Sequence, residues 1–187
     1  MSGEEYLEKN VYNVFGYKIE KMSKDESDPN FTRYVCLDNK GNYIVIKKDD
    51  QLMKYTVILD VYTVSIPEID QKYDSLNSAK KSVMNLKKFE QMINLNDYKS
   101  AYNTLNKSFR DKNFKSVENF EKYVKQNWSE YIKILYKNYE SENGEVGTLS
   151  TEISDRDSQE EEPKTVEITF VIKLIDANNF EMSFNID

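Results

Sequence analysis

Residues 165–186 constrain the fold more than any other part of the chain. In TVEITFVIKLI the apolar side chains Val166, Ile168, Phe170, Ile172 and Leu174 occupy every second position, and in FEMSFNI Phe180, Met182, Phe184 and Ile186 do the same. A period of two places each set on one face of an extended strand. The intervening DANN suits a hairpin loop. Strands that are apolar on one face only cannot stand alone, because that face must be laid against another layer.

The segment upstream supplies helices for that layer. Residues 78–94 carry Val83, Leu86, Phe89 or Glu90, and Ile93 at helical spacing. Asn94 to Asp97 punctuates the pattern, with Asn96 or Asp97 placed to cap a second helix. In NDYKSAYNTLNKSFRDKNF, residues 96–114, the residues Tyr98, Ala101, Tyr102, Leu105 and Phe109 fall on one face of that predicted helix. A third is expected from Ser116, a good N-cap, with Glu118 in its first turn to suit the helix dipole. It would bury Phe120, Tyr123, Val124 and Trp128. EYIKILYKNYES and GTLSTEI then return to strand patterning around Gly144 and Gly147.

The first third reads as strands. VYNVFGYKIEKM alternates Phe15, Tyr17 and Ile19 with polar residues, and RYVCLDNKGNYIVIKK reads as a hairpin turning at DNKG, where Gly41 can take a positive φ. KYTVILDVYTVSI, residues 54–66, is a long β-branched run ended by Pro67. The polar stretch after it marks a boundary, giving an N-terminal antiparallel β unit at 1–66, a connector at 67–77 and an α+β domain at 78–187.

Composition removes several functions. The chain has no histidine, which excludes His-dependent triads, Cys–His proteases and His-ligated zinc. Its one cysteine, Cys36, cannot form an intrachain disulfide and reads as a buried thiol on the strand face of Tyr34. A net charge of −7 repels nucleic acid and anionic lipid, so no nucleic-acid partner is expected. Lys80, Lys81, Lys87 and Lys88 read as a solvated helix face. No run is long enough to span a membrane, and MSGEEYLEKN lacks the basic end and apolar core of a signal peptide. Two locations fit: the cytoplasm, or the extracytoplasmic side as a membrane-anchored ectodomain.

Within INLNDYKSAYNTLNKSFRDKNFKSVENFEKYV, Asn96, Asp97, Tyr98, Ala101 and Tyr102 stand at the positions of a helix–connector–helix pattern that resembles the NTF2-like superfamily. The resemblance covers residues 78–187 and is closest to the NTF2-like domains of bacterial surface proteins. It implies three helices packed on a curved antiparallel sheet, a cone open at one end, here preceded by the small N-terminal β unit. Superfamily members include isomerases, dehydratases, transport adaptors and structural modules, so the fold alone does not select a function. The Asp base of the resembling isomerases has no counterpart motif here.

Candidate site residues are chosen on their chemistry. Asp60, flanked by YTVIL and VYTV, is the best half-buried carboxylate for a general base. The competing reading puts it on the exposed strand face with Thr56 and Ile58. Tyr98, Tyr102, Tyr123 and Trp128 could line a pocket, having aromatic bodies and polar tips, although such a stripe is more often core. DRDSQEEE has the oxygens of a calcium loop but Glu160 at the glycine position, so it reads as an exposed acidic loop and no metal or cofactor is expected. The leading expectation is a non-catalytic binding module, with a protein or peptide, a small molecule or a second copy as partner. The alternatives are a small-molecule or lyase/isomerase-type enzyme using the cone pocket, and a component of a secretion or conjugation apparatus.

Overall fold

The computed structural model describes residues 17–25, 28–38, 43–58, 71, 73–141, 143–156, 158 and 164–186. The chain divides into two compact units, Met1–Val64 and Ser65–Asp187.

The N-terminal unit contains β1 (Tyr17–Lys24), β2 (Phe31–Asp38), β3 (Tyr43–Asp49) and β4 (Tyr55–Ile58), paired in sequence order as an antiparallel sheet. Alternation puts Tyr34, Cys36, Ile44 and Ile46 together as a core cluster, with Ile19 and Tyr55 packed at its margin. The cross-strand pair Val35 and Val45 is buried on the opposite face. One end of the sheet is laced by Asp50. Its carboxylate accepts from Thr32 Oγ1 at 2.7 Å and pairs with Lys24 at 2.7 Å and Lys48 at 3.3 Å. Those donors hold it down to about pKa 2. Cys36 is buried, and desolvation pushes its thiol up to about 11.

The C-terminal unit contains α1 (Ser78–Asn94), α2 (Tyr98–Thr104), α3 (Lys107–Asn113) and α4 (Val117–Asn127), then β5 (Ile132–Ser141), β6 (Val146–Asp155), β7 (Thr165–Leu174) and β8 (Phe180–Phe184). The four strands form a second antiparallel sheet in sequence order. Its apolar face carries Ile132, Ile134, Leu149, Ile153, Ile168, Phe170, Ile172, Phe180, Met182 and Phe184, all buried. Leu86, Phe89, Met92 and Ile93 of α1 are buried with them. Ile186 lies past the end of β8 and is exposed, so the expected apolar face stops at Phe184.

This architecture corrects the expected three helices on one curved sheet. The described chain has four helices and two four-stranded antiparallel sheets. The N-terminal part is a full sheet of its own. The expected second helix is two, because the chain leaves helical space at Leu105, whose ψ is 137°. Leu105 then lies alongside Met182 of edge strand β8, and the Asn106 N–H donates to the Met182 carbonyl at 2.7 Å. Asn106 restarts the helix, its side chain accepting from Phe109 N–H. An apolar stripe that fits one continuous helix is thus cut to satisfy a sheet edge.

Candidate functional site

The aromatic candidates are found in two places. Trp128, at the C-cap of α4, has ring centroids 5.0 Å from Phe184, 6.2 Å from Phe170, 6.3 Å from Phe89 and 5.8 Å from Tyr123. Tyr123 lies 5.3 Å from Phe114 and 6.0 Å from Phe184, and Tyr102 lies 6.0 Å from Phe120. Phe114 and Phe120, 5.2 Å apart, join these into one cluster. Such contacts contribute about 0.5–1.5 kcal/mol each beyond the area they bury. Three of the expected pocket residues are therefore engaged in core packing. Tyr98 sits apart at the start of α2, buried beneath the Lys125 ammonium, which lies 5.4 Å from its ring centre. Burial pushes its phenol pKa up. The Tyr98 hydroxyl and the Trp128 indole N–H are buried and have no hydrogen-bond partner among the described residues. Asp60 and most of the acidic run DRDSQEEE lie outside the described residues.

The lysines of α1 do not share one fate. Lys88 is only 2% exposed and donates to the Ala177 carbonyl and, at 3.3 Å, to Asn178 Oδ1 in the β7–β8 turn. Lys87 pairs with Glu90 and donates to the Ile134 carbonyl of β5 at 2.9 Å. Both lysines bind carbonyls of the sheet unit, so the expected solvated face holds for neither. Asn94, the last residue of α1, continues the same work. Its side chain donates to the Ile132 carbonyl at 2.9 Å and accepts from the Ile132 N–H at 2.7 Å, as a neighbouring strand would. Lys87 and Asn94 together close the first part of the β5 edge, and Leu105 with Asn106 reaches the opposite edge on β8.

Beyond that clamp β5 changes character. Its register with β6 shifts between Tyr136 and Asn138, leaving Lys137 as the extra residue of a bulge. Leu135 and Tyr136 beside it are exposed by 44% and 46%. On the outer face of the sheet Lys137 pairs with Glu152 of β6 and, at 3.1 Å, with Glu167 of β7. These carboxylates draw the ammonium pKa up. A groove of about 330 Å³ runs beside it, lined by Lys137, Ser150, Thr151, Glu167, Ile168, Thr169 and Asn185. Asn185 shapes one wall by accepting from Thr169 N–H through its side chain at 2.7 Å. Sequence reasoning passes over this surface. The available signal is a slip in the alternation of β5, where Ile132, Ile134 and Tyr136 are followed by Tyr139 rather than by an aromatic at 138.

Comparison of the chain with known protein families, curated proteins and solved structures finds no match. Among the described residues no helix is long and apolar enough to cross a membrane.

Proposed function

We propose that the C-terminal unit is a non-catalytic binding module that engages a protein or peptide along β5. The observation that carries this reading is the contrast along a single edge strand. Its first part is clamped by Asn94 and Lys87, and the part at the bulge presents Leu135 and Tyr136 to solvent. Edge strands that are not covered invite pairing, and exposed aromatic side chains are frequent anchors in interfaces.

A second reading, a small-molecule pocket, is favoured by the unpartnered Tyr98 hydroxyl and Trp128 indole N–H. One experiment separates the two. Peptides are selected against the chain from a random displayed library, and small molecules are screened in parallel by thermal shift. The module reading expects selected peptides to lose binding on Leu135→Glu with Tyr136→Lys while the melting temperature holds. Small molecules that raise the melting temperature in wild type and not in Trp128→Phe, with no peptide enriched, would replace it by the pocket reading.

A further inference from the structure

The outer face of the C-terminal sheet contains a charge arrangement that packing does not require. Glu152 and Glu167 are direct cross-strand partners on β6 and β7. Like charges placed opposite each other destabilise a sheet. Lys137, at the β5 bulge, bridges both. Two carboxylates share one ammonium, so the group keeps a charge of −1 (−2 and +1). Glu167 is the looser partner, its side chain 80% exposed. The groove next to it adds the hydroxyls of Ser150 and Thr169 and the amide of Asn185. Its volume, about 330 Å³, is at the lower end of ligand-sized sites.

We propose that this groove seats a cationic side chain of the peptide partner, best an arginine, with Glu167 of its lining as the counter-charge and Glu152, beside the groove, holding Lys137. A guanidinium brings several donors in a planar fork, which matches a carboxylate flanked by hydroxyl and amide oxygens. The net charge of −7 on the whole chain favours encounters with basic partners over acidic ones. Lys137 is then a resident competitor. It offsets one of the two negative charges while the seat is empty and yields Glu167 to the incoming guanidinium. The inference rests on the binding-module reading and names the chemistry of its partner.

The test is a titration of the ¹⁵N-labelled chain with the capped tripeptides Thr-Arg-Thr and Thr-Gln-Thr, followed by amide chemical shifts. The Arg peptide is expected to move Ser150, Glu167, Thr169 and Asn185 and the Gln peptide to leave them in place. Glu167→Gln should weaken binding about two- to fivefold, the scale of an exposed ion pair. Lys137→Met should tighten it, because a competitor has gone. Glu152→Gln keeps the test open if Lys137→Met does not fold, since it relieves the like-charge pair and should still weaken the Arg peptide. Loss of binding on Lys137→Met with retained fold, equal binding of both peptides, or shifts scattered over other acidic surfaces would overturn the seat. So would silence from the Arg peptide while library-selected peptides bind through Leu135 and Tyr136, an outcome that leaves the module reading intact.

Discussion

Removing the Asn94 side chain tests how the helical layer holds the edge of the C-terminal sheet. Asn94→Ala deletes two hydrogen bonds at once, from its amide to the Ile132 carbonyl and from the Ile132 N–H to its carbonyl. Ile132 is fully buried, so its N–H has no water to turn to. Two net hydrogen bonds at about 1 kcal/mol each, plus part of the desolvation penalty of a stranded donor, give a loss of about 2–4 kcal/mol. For a unit of this size that is a fall of about 10 °C in melting temperature. Trp128 is the only tryptophan and lies in the core of the same unit, so its fluorescence in a urea titration reads this unit selectively. The midpoint should fall with the m-value unchanged. Asn94→Asp sharpens the reasoning, because a carboxylate can still accept from the Ile132 N–H but faces the Ile132 carbonyl without a proton to give. It should be at least as damaging as alanine at pH 7 and recover part of the loss below about pH 4, where the acid regains a donor. A cost below about 0.5 kcal/mol for Asn94→Ala would refute the clamp.

Three further outcomes are expected. A Cβ at Gly147 would stand 2.3 Å from Tyr139 Cε2, so Gly147→Ala should cost about 1–3 kcal/mol in the same urea assay, and adding Tyr139→Ser should recover part of it. Asp50 is held below its ordinary range by Lys24 and Thr32, so its stabilising contribution is complete above about pH 4 and is lost as pH falls toward 2. Asp50→Asn should flatten that acid limb for the N-terminal unit, and an acid limb identical to wild type in calorimetry would count against the ion cluster. Cys36, buried and with its thiol pushed up to about 11, should resist an aromatic disulfide reagent at pH 8 until the N-terminal unit opens. Rapid labelling under native conditions would contradict that burial.

How much is legible in the sequence depends on where each residue's partner lies. Helix α1 can be placed at 78–94 because its apolar residues repeat on one face. The start of α2 narrows to Asn96 or Asp97, and Asp97 does the capping by accepting from Ser100 N–H at 3.0 Å. Asn96 instead takes a positive φ of 58°, a conformation asparagine tolerates better than most residues. The break at Leu105 is masked in the sequence by an apolar stripe that runs on to Phe109, and the group that fixes it is the distant Met182 carbonyl, although Thr104 and Asn106 are weak helix formers. Lys88 looks like surface because lysine usually is, yet its position on α1 points it at the β7–β8 turn. Of the pocket candidates, Tyr102, Tyr123 and Trp128 stand out for their aromatic rings and polar tips, and those same rings pack against Phe89, Phe120, Phe170 and Phe184 instead.

The sequence by itself determined the apolar faces of β7, β8 and α1 and the starts of α1, α2 and α4, but not that of α3. Those properties arise from side-chain periodicity and from capping bonds that span three or four residues. Tertiary structure alone decided what seals the sheet edges and which charges meet. Asn94 finds Ile132 at a separation of 38 residues, Asn106 finds Glu181 at 75 and Lys88 finds Ala177 at 89. Lys137 meets two glutamates only because β6 and β7, later in the chain, pair beside β5. Contacts of that range depend on sheet register and helix docking, and local propensity sets neither.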